Sequence, residues 1–180
     1  MVSVDGFIET ASSDISWSYP DAELHQHFNE RESSIDTHLY GRRLYENMVA
    51  FWPTADANPS APEVEIEYAR IWREKRKIIF SNTLTQVGWN CELFRGDIIE
   101  GINELKAQPG KDKTVVGANL AATFMKLGLI DDYRLYIFPI MLGSGKPMFP
   151  QLRDKIDLKL VETRTFGSRV VMLKLENKPA

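Results

Sequence analysis

The sequence predicts an α/β fold with a mixed central sheet, flanking helices and a C-terminal antiparallel hairpin. Three observations lead to this prediction. Short runs of β-branched and aromatic residues alternate with segments whose apolar residues recur at helical spacing, and glycine, proline or asparagine separates them. Alternation of strands with helices in the middle of the chain indicates a parallel centre. The last two strand-like runs, 158–164 and 170–175, are joined through Gly167 and Ser168, as in a hairpin.

The elements of the N-terminal half follow from local signals. The sequence predicts a strand from Met1 that ends in a turn-forming Asp5-Gly6 pair. A strand that begins at the first residue is compatible with residues preceding Met1. Pro20 suits the first turn of a helix in which Leu24 and Phe28 share one face. The next predicted elements are a strand over 35–40, a short helix over 42–48, a surface loop over 53–62, a helix over 63–72 and a strand over 78–80.

The C-terminal half continues the alternation. A short strand near 91–94 precedes a helix in which Ile98, Ile102 and Leu105 recur at helical spacing. A strand at 115–116 leads into a helix over 120–127, which Gly128 is predicted to end in a left-handed conformation. The remaining predicted strands cover 134–138, 158–164 and 170–175.

Composition limits the possible functions. A chain of 180 residues with 43% hydrophobic and 26% charged residues fits one globular domain over 1–180, and no apolar run reaches the roughly 20 residues that span a bilayer. A net charge of -3 gives no field to hold nucleic acid. The single cysteine, Cys91, excludes an internal disulfide and a cysteine-based metal site. We expect a cytoplasmic protein without membrane, nucleic-acid or metal partners.

Three predicted strands end at segments that could bind one ligand. These segments are Gly41-Arg42-Arg43, Ser81-Asn82-Thr83 and Gly117-Ala118-Asn119-Leu120. Ligands of open α/β sheets lie at the carboxyl ends of the strands, and a helix start offers unpaired N–H groups to a phosphate. The arginines add guanidinium groups suited to a phosphate monoester, and the hydroxyl residues add neutral donors. The combination points to a dinucleotide with an additional phosphate, NADP rather than NAD.

Each segment also has a simpler interpretation. VVGANL lacks the GxGxxG spacing of a dinucleotide-binding loop and can be a plain strand-to-helix corner, and Arg42-Arg43 can be a solvated helix start. No GxSxG, HExxH or Walker motif is present. Only the repetition at three strand ends favours a shared site.

Several stretches together resemble a known superfamily. They are VSVDGFIE, WSYPD, DTHLYGRRLYENM, IIFSNTL, VVGANL, LIDDYRLYIFPIMLGSGKPMF and LVETRTFGSRVVMLKL. They are similar to the dihydrofolate reductase-like superfamily, and most similar to the RibD C-terminal domain family, which is related to the reductase half of the riboflavin biosynthesis deaminase/reductase. The resemblance implies a dihydrofolate reductase-like three-layer fold and an NADPH-dependent reductase.

The resemblance also implies roles for the segments. Gly41, Arg42 and Arg43 would contact the cofactor phosphates, the Ser81–Thr83 segment the adenosine, and residues 117–120 the pyrophosphate. On the substrate side it implies Asp5, Gly6 and Trp17, with Asp21 as the candidate catalytic carboxylate. Asp21 is one residue out of register with the family's acid, and Ala118 and Leu44 stand where dihydrofolate reductases have glycine and threonine.

Two functions therefore remain open. The first is an oxidoreductase that reduces a small heterocycle with NADPH, similar to 5-amino-6-(5-phosphoribosylamino)uracil reductase of riboflavin biosynthesis or to dihydrofolate reductase. The second is a catalytically inactive nucleotide-binding or dimer-forming module of the same fold. The final hairpin and the apolar segment 137–149 also predict a homodimer.

Overall fold

The computed structural model describes residues 1–178. These residues form two compact units. One consists of Met1–Leu24 and the described residues from Phe124 onward, and the other consists of His25–Thr123. The prediction of one domain over 1–180 stays a prediction. Within residues 1–178, no helix is long and apolar enough to cross a membrane.

Strands and helices alternate along most of the described chain. The strands are β1 (Val2–Ser3), β2 (Phe7–Thr10), β3 (Ile35–Gly41), β4 (Arg76–Phe80), β5 (Cys91–Phe94), β6 (Asp112–Val116), β7 (Asp132–Phe138), β8 (Gly145–Pro147), β9 (Leu158–Thr165) and β10 (Val171–Asn177). The α-helices are α1 (Ala22–Arg31), α2 (Arg42–Phe51), α3 (Glu63–Glu74), α4 (Ile98–Ala107) and α5 (Ala118–Lys126). Most predicted elements are present, with ends that differ by a few residues.

The unit over His25–Thr123 is built on a four-stranded parallel sheet with the order β5-β4-β3-β6. Tyr40 and Ile79 are fully buried in its core and pack with Tyr45 of α2. Strands of parallel sheets are covered on both faces, so they read as continuous apolar runs in the sequence. The predicted parallel centre is confirmed.

The other unit contains a mixed sheet with the order β1-β7-β10-β9. β1 pairs in parallel with β7, whereas β7, β10 and β9 are antiparallel. The predicted hairpin is confirmed: the Phe166 N–H donates to the Val170 carbonyl at 2.9 Å across its turn, and β9 lies at the edge of the sheet.

A smaller two-stranded ladder joins β2 to β8 in the same unit. Gly145 lies where the two strands approach closely: it has φ +154°, and a Cβ there would lie 2.0 Å from the Glu9 carbonyl oxygen. No L side chain fits this position without moving the backbone. This contact explains one glycine of the LGSGKPMF stretch on which the resemblance depends.

The predicted surface loop over 53–62 was wrong in its first half. A 3-10 helix covers Trp52–Ala57 and buries Pro53 and Ala55. Arg73 of α3 holds this segment with bonds of 2.9 and 2.6 Å to the Asp56 carboxylate and 3.1 Å to the Pro53 carbonyl. Proline and small residues resemble a loop in sequence, and a contact made 17 residues away is not visible there.

Strand β4 begins at Arg76, two residues earlier than the predicted strand over 78–80. The basic residues Arg76 and Lys77 therefore belong to the strand. The Lys77 side chain is fully buried. Its ammonium donates to the carbonyls of Trp72 and Lys75 and lies 4.4 Å from the centre of the Trp72 ring. Burial lowers the pKa of Lys77 from 10.5 to about 8.

Candidate functional site

The three predicted strand-end segments lie at the same edge of the parallel sheet. Strands β4, β3 and β6 are neighbours, and Gly41 pairs with Phe80 while Tyr40 pairs with Val116. The chain therefore leaves three adjacent strands at nearly the same level. The segments 41–43, 81–83 and 117–120 are brought together there, and we call this edge the strand-end site.

Helix α2 begins at the strand-end site without a capping side chain. Gly41 precedes it, no acidic residue lies in its first turn, and Arg42 and Arg43 are both exposed. Arg42 bonds to Glu46 one turn along the helix at 3.1 Å. Arg43 makes no ion pair or side-chain hydrogen bond with residues 1–178, and its guanidinium is available to an anion.

Helix α5 also begins at the strand-end site without a cap. Gly117 has φ +97°, and a Cβ there would lie 3.3 Å from Cδ2 of Leu44. The left-handed backbone therefore favours glycine at this corner, and a Cβ would also press on the Leu44 side chain. Ala118 is partly buried, Asn119 is exposed and Leu120 is buried. Leu44 fills the space beside Gly117, which explains why it is not a phosphate-binding hydroxyl residue here.

The remaining helices contrast with these two. Asp21 caps α1 by accepting from the Leu24 N–H at 2.9 Å, and Asp97 caps α4 by accepting from the Glu100 N–H at the same distance. Helix α3 carries Glu63 and Glu65 in its first turn. Negative charge thus offsets the positive end of each of these helices, whereas the two starts at the strand-end site are left uncompensated. An anion bound there would supply what the chain does not.

The third segment presents hydroxyl groups. The Ser81 Oγ accepts from the backbone N–H groups of Thr83 and Leu84 at 3.2 and 3.1 Å, and lies 3.4 Å from the Thr83 hydroxyl. Asn82 and Thr83 are exposed. This turn is held by its own hydrogen bonds and leaves neutral polar groups facing solvent.

On the substrate side of the prediction, Asp5 is engaged within the chain. Its carboxylate accepts from the Ser3 hydroxyl at 2.6 Å, from the Gly143 N–H at 2.7 Å and from the Leu142 N–H at 3.1 Å. These bonds hold the pKa of the Asp5 carboxyl below its usual value, and the bond from the Ser3 hydroxyl has the largest effect. Gly6 makes the adjoining turn with φ +88°. Asp5 thus ties the loop at 142–143 to the end of β1.

Trp17 keeps a free donor. Its indole N–H is buried and has no hydrogen-bond partner in residues 1–178, while its ring packs edge-on against Phe138 at 5.7 Å between centroids. Buried indole N–H groups normally have a partner, so this donor suits a bound water or a ligand acceptor.

The acidic residues at the start of α1 both have structural partners. Asp21 caps the helix through Oδ1, and Oδ2 has no partner in residues 1–178. Glu23 accepts from the Gly167 N–H at 2.8 Å and pairs with Arg164 at 3.4 Å. One carboxylate oxygen of Asp21 is therefore available to a ligand. Both oxygens of Glu23 bond to residues in or next to the hairpin turn.

Glu46 was absent from the sequence-based site. The structure pairs it with Arg42, one of the residues predicted to hold the cofactor. The signal was present in the sequence, because an acid four residues after an arginine on a helix indicates an ion pair.

Comparisons with known proteins show the family and the fold of this chain. A family model described as the RibD C-terminal domain matches residues 1–172. The uncharacterized protein YyaP of Bacillus subtilis (strain 168) is 37% identical over 173 residues, covering 96% of this chain and 89% of YyaP.

Two solved structures share the fold. A protein of Shewanella sp. PV-4 assigned provisionally to riboflavin biosynthesis superposes with a TM-score of 0.78 at 22% identity, covering 99% of this chain and 96% of that one. Dihydrofolate reductase from Enterococcus faecalis, complexed with NADP(H) and RAB-propyl, gives a TM-score of 0.64 at 10% identity, covering 99% and 93%. The predicted dihydrofolate reductase-like α/β fold is confirmed.

Proposed function

This chain belongs to the RibD C-terminal domain family, and we propose that it is an NADPH-dependent reductase of a small heterocyclic substrate. The observation that carries the proposal is the pair of uncapped helix starts at the strand-end site, one of them bearing Arg42 and the unpartnered Arg43. Positive helix ends with backbone N–H groups suit a pyrophosphate, and a free guanidinium suits a phosphate monoester.

The residues present fit NADPH by their chemistry. Gly41 to Arg43 and residues 117–120 would hold its phosphates, and the turn at 81–83 would contact the adenosine. When bound, the cofactor supplies a hydride. Asp5 would position the loop at 142–143, and the Trp17 indole N–H would donate to an acceptor atom of the substrate. The Oδ2 oxygen of Asp21 is the available carboxylate oxygen for holding a proton near the substrate.

The similarity to riboflavin-biosynthesis proteins supports a proposal for the substrate class. We assign a nitrogen heterocycle of the 5-amino-6-(5-phosphoribosylamino)uracil type used in riboflavin biosynthesis, with a pterin or folate as the nearest alternative. Reduction of either consumes a hydride and a proton.

A nucleotide-binding module without catalysis is the second candidate. It is favoured by the engagement of both acidic residues at the start of α1, since Asp21 caps the helix and Glu23 accepts from the Gly167 N–H and pairs with Arg164. If neither acid can approach a substrate, the nucleotide site would serve binding alone.

We also propose a homodimer. Leu160 and Val161 are 53% and 44% exposed on the edge strand β9, and Met141 in the preceding loop region is 74% exposed. Apolar side chains on an exposed edge strand are unusual in a monomer and favour pairing with a second copy.

The cofactor proposal is tested by thermal unfolding with NADPH and with NADH. A ligand at about 100 times its dissociation constant stabilises by about 2.7 kcal/mol, so NADPH should raise the midpoint of the wild type more than NADH does. An Arg42→Ala, Arg43→Ala double variant should lose this preference. An Arg70→Ala, Arg153→Ala double variant removes the same charge from exposed positions elsewhere and should keep it.

Turnover separates the two candidates. The oxidoreductase should oxidise NADPH, followed by absorbance, when a pyrimidine or pterin substrate is supplied, and Asp21→Asn should slow this while leaving NADPH binding intact. Binding of NADPH without turnover of any substrate in the panel would support the non-catalytic module. If neither nucleotide shifts the unfolding midpoint, the reductase and the nucleotide-binding module both fail, and the dimer-forming module remains.

A further inference from the structure

The Arg42–Glu46 ion pair points one of the cofactor-site arginines along its helix. The Arg42 Nη1 lies 3.1 and 3.4 Å from the two carboxylate oxygens of Glu46, and the side chains are 54% and 44% exposed. Residues four apart share one face of a helix, so the guanidinium lies over the turn that follows Arg42. Arg43, without such a partner, is not held in this way.

Glu46 is also the only acidic residue of α2. Two arginines in the first turn oppose the positive end of the helix dipole, and neither a cap nor a first-turn acid relieves this. Glu46 is therefore the counter-charge that this helix provides for Arg42. An anion that binds Arg42 at the strand-end site would have to break the Arg42–Glu46 ion pair.

We propose that Glu46 is a specificity-determining residue of the strand-end site. This inference rests on the proposed cofactor function. By holding Arg42, Glu46 competes with a phosphate monoester on the ribose of the nucleotide. A nucleotide with a free 2′-hydroxyl does not need Arg42 and is unaffected by the competition. Glu46 thus narrows the preference for NADPH over NADH, and its removal widens that preference.

The test compares the dissociation constants of NADPH and NADH for the wild type, Glu46→Gln and Glu30→Gln, by fluorescence titration at low salt. Glu30 is exposed on α1, so Glu30→Gln removes the same charge away from the arginines. Competition from an exposed i,i+4 pair is weak, so we expect Glu46→Gln to raise the NADPH-to-NADH affinity ratio by about twofold to fivefold. Glu30→Gln should leave the ratio within error of the wild type. The gain should shrink in high salt, which screens exposed charges.

A double-mutant cycle tests whether the effect acts through Arg42. In an Arg42→Gln background Glu46 has no Arg42 guanidinium to pair with. Glu46→Gln should then change the NADPH-to-NADH affinity ratio no more than Glu30→Gln does. An undiminished gain in that background, or an unchanged ratio in the single variant, would overturn the role of Glu46 while leaving the cofactor proposal intact. Failure of the wild type to bind either nucleotide would overturn both.

Discussion

Lys77 should make the stability of this protein rise with pH above neutrality. The residue is fully buried on β4 and bonded to two backbone carbonyls, and burial lowers its pKa from 10.5 to about 8. Since the unfolded chain has the higher pKa, it binds more protons than the folded state between these values. Stability therefore increases as pH rises through this window, and the perturbation that removes the increase is Lys77→Met.

The magnitude follows from the two pKa values. Lowering the pKa from 10.5 to about 8 corresponds to a free-energy cost of about 3 kcal/mol for keeping the folded lysine charged at pH 7. At pH 9 the folded lysine is mostly neutral and this cost falls to about 2 kcal/mol. The wild type should thus gain about 1 kcal/mol relative to Lys77→Met between pH 7 and pH 9.

The assay is urea unfolding at pH 7, 8 and 9. Burial also lowers the pKa of the N-terminal amine of Met1 to about 6, but this group is common to both proteins and cancels from their difference. Lys159→Met, at an exposed position on β9, provides the matched control and should follow the wild type. The absolute stability of Lys77→Met also reflects the lost bonds to Trp72 and Lys75. The informative quantity is therefore the slope of the unfolding free energy against pH. Equal slopes for wild type and Lys77→Met would refute the reasoning.

Three further outcomes are expected. Gly101→Ala should lose about 1–2 kcal/mol of stability in urea unfolding instead of gaining the usual helix propensity, because its Cβ would lie 2.3 Å from Phe94 Cζ; Gly88→Ala, with no atom within 4 Å, should change little. Asp5→Asn should weaken the bonds to the loop at 142–143 and speed hydrogen exchange there, measured by mass spectrometry, and unchanged exchange would argue against the tie. Light scattering should give about twice the chain mass of 20.6 kDa, falling to the single-chain value for Leu160→Lys, whereas a monomeric wild type would contradict the dimer.

Local signals were sufficient for most of the fold. The apolar runs of β3 and β4 are largely buried in the middle of the parallel sheet, and such strands are readable without knowing their partners, whereas the edge strand β6 is only partly buried. Features set by distant contacts were not readable. The helical turn at Trp52–Ala57 is held by Arg73, which lies 17 and 20 residues away from its partners. The burial of Lys77 depends on the neighbouring strands, in which His38 and Cys91 pair with it.

The residues of the candidate site could likewise be located from the sequence only where local signals mark them. The arginines and glycines at the strand ends could be located from sequence because strand ends and helix starts are local features. The partners of Asp5 come from 137 and 138 residues away, and those of Glu23 from 141 and 144, so their engagement required the folded chain. The contact of Leu44 with Gly117 likewise joins two strand ends that only the sheet order brings together.

The missing caps connect stability to the proposed function. A glycine at the N-cap forgoes only a few tenths of a kcal/mol relative to serine or aspartate, so the glycines that precede α2 and α5 leave backbone N–H groups open at a total cost below about 1 kcal/mol. On the proposed cofactor function, nucleotide phosphates would accept hydrogen bonds from the open N–H groups of these two helix starts. The chain caps α1 and α4 with its own carboxylates, whereas the starts of α2 and α5 leave their N–H groups open to the anion that the proposed function requires.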